Sequence, residues 1–196
     1  LDLMAVRDLL IINMAFDGLL RRSELINVTV EDVSHAETGN GGKLFIPKSK
    51  SDQTGEGAYV WLGSNTMSYY QKWLEMTGIE SGILFRKMNK WGKVATLSKQ
   101  EQALSEEEQA KTLTLSTVTI NRVFRKMGAI LAKGNKSEVF NWSGHSGRVG
   151  AAIDLAKNKA TLVELQLAGR WKSPIMPAKY TRMMEVEQSA MSKLRP

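Results

Sequence analysis

His145-Ser146-Gly147-Arg148, inside the segment Trp142–Arg148, is followed downstream by Trp171 and Tyr180. Histidine can carry a proton near neutrality, arginine holds a permanent charge on a planar two-pronged fork, and a tyrosine phenolate is a nucleophile. That set suits attack on a DNA phosphodiester. The reaction needs a nucleophile, cations against the non-bridging oxygens and a proton for the departing oxygen. Arg148 and Arg21 are the candidates for gripping the phosphate. A free tyrosine, with a pKa of about 10, is only about 0.1% ionised at pH 7, so Tyr180 needs a cationic field or a base to become effective.

These residues are spread over most of the chain, and helices account for most of what must position them. Leu3 to Phe16 is apolar except for charges such as Arg7 and Asp8, which predicts a largely buried helix stopped near Gly18, with Arg21 just past its end. A helical turn, Ser23–Ile26, leads into Val28–Val33, whose β-branched residues favour a strand. Two further strands, Lys43–Ile46 and Ala58–Leu62, flank a polar segment carrying Lys48 and Lys50. Ser64 and Gly78 are the expected types to cap a helix at its two ends. Residues 87–112 are the least regular stretch, and their acidic run Glu106-Glu107-Glu108 reads as a solvated helix face or a mobile loop.

From Ser116 a helix is expected with Val123, Phe124, Met127, Ile130 and Leu131 on an apolar face. Arg122, Arg125, Lys126 and Lys133 fall mainly on the opposite side, and Gly134 ends the run. A cationic face of this kind suits DNA, or is simply solvated. Ser146–Lys157 predicts another helix, Thr161-Leu162-Val163-Glu164 is a capping box opening one that stops at Gly169, and Ser173-Pro174 starts one through Tyr180. A last helix is expected over about Met184–Leu194.

Composition narrows the classes. With 196 residues, 42% of them hydrophobic, the chain can bury one core, and no linker-like stretch divides it, so a single domain is expected. The absence of cysteine excludes disulfide scaffolds, thiolate metal sites and cysteine nucleophiles. No carboxylate pair or His/Asp cluster has metal-ligand spacing, so neither a metal nor another cofactor is expected. No apolar run is long enough to cross a membrane and the start lacks a signal-peptide pattern, so a cytoplasmic protein is expected. The net charge of +7 is unevenly spread: residues 1–110 carry 12 Lys+Arg against 15 Asp+Glu, whereas residues 111–196 carry 15 against 5. Such concentration is the footprint of a polyanion binder, because neutralising phosphates releases condensed counterions.

The ordered motifs resemble the tyrosine recombinase, or phage integrase, family. Leu19-Leu20-Arg21-Arg22-Ser23-Glu24-Leu25 is similar to its first arginine box, His145-Ser146-Gly147-Arg148 to its His-x-x-Arg box, and Trp171 with Tyr180 to its third box. The resemblance implies a mixed but mainly helical fold, that of tyrosine recombinase and type IB topoisomerase catalytic domains, with a small three-stranded antiparallel sheet. It implies that Tyr180 forms a 3′-phosphotyrosine, that Arg21 and Arg148 hold the phosphate, and that Lys50 protonates the leaving 5′-oxygen. Lys48 competes for that task. His145 would assist proton transfer, Trp171 fills a position more often histidine in the family, and Glu24 would orient its neighbours.

The chain begins close to the first arginine box, which implies a catalytic domain without the N-terminal helical domain of such enzymes, with residues 183–196 as a C-terminal helix or tail. Double-stranded DNA is the implied partner, bound by a homotetramer on paired sites in the full-length protein, in a bacterial or phage-encoded setting and without metal or ATP. Alternatives are topoisomerase-like DNA relaxation and a DNA-binding module of this fold without catalysis. Singly, each residue has an ordinary explanation: Tyr180 as a half-buried helix tyrosine, Trp171 as a core anchor, Arg21 as a helix-end cation. Their ordered combination carries the inference.

Overall fold

A computed structural model describes residues 1–47, 56–132 and 142–181. The expectations for Lys48, Lys50, Lys133, Gly134 and the helix near Met184–Leu194 lie outside them.

Helix α1 (Leu3–Asp17) is the central strut, capped by Asp2, whose side chain accepts from the Ala5 amide at 2.7 Å. Val6, Leu10, Ile11 and Met14 have no exposed surface. Burial of this kind stabilises by roughly 1.5–3 kcal/mol per large side chain. The main core continues through Trp73, Leu84, Phe85, Ile120 and Phe124, contributed by α3 (Ser64–Thr77), the segment after it and α5 (Thr117–Leu131). Trp73 satisfies its buried indole by donating Nε1–H to the Leu84 carbonyl at 3.0 Å.

The sheet has three antiparallel strands in sequential order, β1 (Val33–His35), β2 (Gly42–Ile46) and β3 (Ala58–Leu62). Leu44 pairs with Val33 on one side and Val60 on the other. In β2, Gly42, Leu44 and Ile46 are buried while Lys43 and Phe45 are only partly covered, the period-2 pattern of a sheet with one face on the core. The expected strand at Val28–Val33 is a correction. Only Val33 joins the sheet, because Asp32 accepts from the amide and hydroxyl of Thr29 at 2.8 and 2.9 Å and folds the segment into a turn.

Two further expectations are corrected by tertiary contacts. Ser64 is the first residue of α3 rather than its cap, which is Gly63. The polar cap comes from Asp17, at the end of α1, whose carboxylate accepts from the Gly63 amide at 2.7 Å and from the Thr66 hydroxyl. On α5, capped by Ser116, Ile120, Val123 and Phe124 are buried, but Ile130 and Leu131 are 59% and 58% exposed. Beyond Phe124 the buried side of the helix is Gly128, whose backbone lies against Trp142, and Ala132, while Ile130 and Leu131 lie outside that contact.

The acidic run forms the first turn of α4 (Glu106–Leu113), where it complements the helix dipole. A short α2 (Arg22–Ile26) follows α1, and α6 (Ser146–Lys157), α7 (Leu162–Ala168) and α8 (Ile175–Thr181) complete the described residues. The Thr161–Glu164 capping box is present as expected. No helix among the described residues is long and apolar enough to cross a membrane. Substituting Asp17 with Ala should lower unfolding free energy by about 1–2 kcal/mol, through loss of the α3 cap, and shift the urea midpoint with an unchanged slope. A shift below about 0.3 kcal/mol would show that solvent replaces the cap without penalty.

Candidate active site

Helix α6 brings the dispersed residues together. It starts at Ser146, directly after His145, so that Arg148 leaves its first turn toward the interior. Gly147 lets this turn approach its neighbours: a β-carbon there would lie 3.0 Å from the Phe124 ring and 3.3 Å from Ala15. A second apolar cluster, Leu19 from the loop after α1 with Ala151 and Ala152 of α6, supports Trp171 and Tyr180. Small residues on α6 let α8 pack closely, and that packing places Tyr180 over the start of α6.

His145 Nε2 lies 3.1 Å from Tyr180 Oη, within hydrogen-bond reach. The Trp171 and Tyr180 rings lie 5.8 Å apart, and the Arg148 guanidinium lies 4.5 Å from the centre of the Trp171 ring, a cation–π contact. Arg148 is only 2% exposed. Its two terminal nitrogens donate to the carbonyls of Leu19 and Gly169, fastening the loop after α1 to the turn after α7. Each terminal nitrogen still carries a second N–H. Burial, then the charges of Arg21 and Arg170, bring the Arg148 pKa down to about 10, so it is still a cation at neutral pH.

Arg21 contributes the more accessible fork, with its side chain 25% exposed, and is held by Glu24 at 2.6 Å. Glu24 is itself buried and accepts from the Arg21 amide at 2.8 Å and from Arg170 at 2.7 Å. Burial is the largest single influence on its carboxyl and opposes ionisation. Attraction to Arg170 and hydrogen bonds from Arg21 outweigh it together and hold the pKa below the usual carboxylate value. One carboxylate thus sits among three guanidiniums, and the surplus of positive charge fits an anion such as a phosphate diester.

The structure therefore groups Arg21, Glu24, His145, Arg148, Trp171 and Tyr180, while Lys50 lies outside the described residues. Arg122, Arg125 and Lys126 are exposed on α5, but Lys126 is paired with Asp8 at 3.2 Å beside the buried Arg7–Asp8 ion pair. Arg170 is the site residue that the sequence reading passed over. Its signal was a cation wedged between Gly169 and Trp171 in the third motif. A cavity of about 790 Å³ lined by Glu31, Arg86, Glu106 and Glu107 shares no residue with this cluster. Among the described residues no group of His, Asp and Glu could hold a metal ion.

This arrangement defines the class by its fold, that of tyrosine recombinase catalytic domains. The XerH site-specific recombinase, solved with palindromic difH substrate in a post-cleavage complex, aligns with a TM-score of 0.66 at 16% identity, over 97% of this chain and 46% of its own. XerA recombinase aligns with a TM-score of 0.62 at 15% identity, over 95% and 57%. The chain belongs to the phage integrase family, whose description matches residues 2–186. Recombinase cre of Escherichia phage P1 is 26% identical over 96% of this chain and 53% of its own length. An integrase/recombinase XerD homologue of Selenomonas ruminantium is 25% identical, over 91% and 48%. The chain spans about half the length of these curated relatives.

Partial desolvation of the imidazole, then Arg148, Arg22 and Arg21, lower the His145 pKa below 6.5. At neutral pH the ring is uncharged and can accept the Tyr180 proton. The folded chain also binds fewer protons here than the unfolded chain, so this group's contribution to stability is present above about pH 6.5 and is lost as pH falls through the folded pKa. Replacing the exposed Arg22 with Gln should raise the His145 midpoint, read by NMR titration. An unchanged midpoint would remove Arg22 from the field at the imidazole.

Proposed function

We propose that this chain is the catalytic domain of a site-specific DNA recombinase that cleaves and rejoins strands through a 3′-phosphotyrosine. The observation that carries the reading is the His145 Nε2–Tyr180 Oη approach of 3.1 Å beside the arginine cluster. His145 withdraws the phenolic proton as Tyr180 attacks the scissile phosphorus, and the bond to the 5′-oxygen breaks. Arg21, through its exposed fork, and Arg148, through its remaining N–H groups and its field, hold the non-bridging oxygens. Trp171 braces Arg148 and Tyr180 from one side. Lys50 protonates the departing 5′-oxygen, a role that rests on the family motif.

Attack by a different 5′-hydroxyl then reverses the chemistry and exchanges partners. The phosphotyrosine conserves the energy of the cleaved linkage, so the exchange needs no ATP. Residues 1–196 form one catalytic domain in this reading. The full-length protein works as a homotetramer on paired duplex sites, in the cytoplasm where bacterial and phage DNA reside.

Incubation with a nicked duplex carrying the target site, in EDTA, should trap a covalent protein–DNA adduct on a denaturing gel, whereas Tyr180→Phe should form none. No wild-type adduct, or an adduct from the variant, would overturn the assignment. Supercoil relaxation without partner exchange would instead favour the topoisomerase-like alternative. For binding, replacing Arg122 and Arg125 with Gln should flatten the dependence of log affinity on log salt by about 2, one unit per lost phosphate contact. Lys126, already paired with Asp8, should change it less. An unaltered slope in the double variant would take that face of α5 off the DNA.

A further inference from the structure

Arg170 sits in the turn between α7 and α8 with φ 53°, a left-handed backbone that L side chains adopt only at an energetic cost and glycine adopts freely. An arginine kept at such a position needs a compensating contact, and its side chain makes at least two. Nη1 donates to the Gly18 carbonyl at 2.9 Å and Nη2 to Glu24 Oε2 at 2.7 Å. The side chain is 10% exposed and that of Glu24 is 4% exposed, so solvent screens this ion pair little. Glu24 passes the constraint on, since Oε1 accepts from the Arg21 guanidinium at 2.6 Å and Oε2 also accepts from the Arg21 amide at 2.8 Å.

The geometry points to Arg170 as a positioning residue for strand cleavage: it locks the Glu24 carboxylate, and through it fixes both the backbone and the guanidinium of Arg21 against the turn that leads to Trp171 and Tyr180. What Arg21 then does for the phosphate rests on the recombinase reading above, while the Arg170–Glu24–Arg21 relay is independent of it. Arg148 already ties Leu19 to Gly169. Arg170 supplies a second, adjacent tie, from its own turn to Gly18 and Glu24, so that the first arginine segment and the tyrosine-bearing segment keep one relative register.

The groups facing Glu24 are Arg170 from the turn, Arg21 from the start of α2 and, more distantly, Arg148 from α6. Attraction to Arg170 is the largest influence favouring the ionised carboxylate, so removal of that charge lets Glu24 take up a proton at higher pH and release Arg21.

Arg170→Gly is the appropriate variant, because it removes the guanidinium and relieves the left-handed backbone. Arg170→Lys restores a charge without the two-pronged reach. Carbon-13 NMR titration of the Glu24 carboxyl should give a higher midpoint in Arg170→Gly than in wild type, with Arg170→Lys between them. Adduct formation on the nicked duplex should slow about tenfold at neutral pH in Arg170→Gly, the usual cost of losing a group that orients a functional side chain. Its acid limb should move to higher pH, and Lys should recover part of both effects. Thermal unfolding of the same variants separates this from general loosening, which would lower the melting midpoint and leave the acid limb in place.

An unchanged Glu24 midpoint, or an unchanged adduct rate and acid limb, overturns the role of Arg170. Absence of adduct from wild type while Glu24 shifts as expected overturns the recombinase reading, and with it the task assigned to Arg21.

Discussion

The burial of Arg148 is the constraint on which the rest of this structure depends. A guanidinium with 2% of its surface exposed would cost several kcal/mol if left without partners. Here it donates to the carbonyls of Leu19 and Gly169 and lies against the face of Trp171. Those partners come from two separated parts of the chain, Leu19 in one and Gly169 with Trp171 in the other, and satisfying one cation on α6 therefore draws the loop after α1, the start of α6 and the turn after α7 into a single cluster. Energetic need and site assembly are the same event.

That cluster accumulates positive charge in a poorly solvated place, which explains why a single carboxylate is so thoroughly engaged. Glu24 takes hydrogen bonds from Arg21 and Arg170 and attracts Arg148 from further away. Arg21 and Arg170 in turn depress the Arg148 pKa, and Arg148, Arg22 and Arg21 help depress that of His145. The cost of gathering like charges is a site primed for an anion and a histidine that is neutral at physiological pH. Leu19 and Arg170, both with positive φ, lie at the two ends of this arrangement. Backbone strain held by surrounding contacts is common where a chain builds a functional site.

Much of the fold was legible locally. The helix over Ser146–Lys157, the Thr161 capping box, the stop at Gly169 and the strand Ala58–Leu62 depend on periodicity and on end residues that act within a few positions. The failures have two causes, one local and one tertiary. The Val28–Val33 stretch has strand-forming residues, but Asp32 captures its backbone; Ser64 has the right chemistry for a cap, but Asp17 reaches Gly63 from 46 positions away; Ile130 and Leu131 continue the apolar pattern of α5, but the buried side there is Gly128 and Ala132. The last two were decided by tertiary context, whereas Asp32 acts on Thr29 from only three positions away, a local side-chain competition with the strand.

By itself, the sequence determined which chemistries were available: a tyrosine, a histidine and arginines in one order, no cysteine, and basic charge gathered toward the C-terminal side. These follow from residue type and order alone. Tertiary structure decided that His145 reaches Tyr180, that Arg148 is buried while Arg21 keeps an exposed edge, that Lys126 is tied to Asp8, and that Arg170 belongs to the site. Distances of about 3 Å between residues 35 to 152 positions apart depend on how helices pack and on where a buried charge finds acceptors, and neither is encoded in any short stretch of the chain.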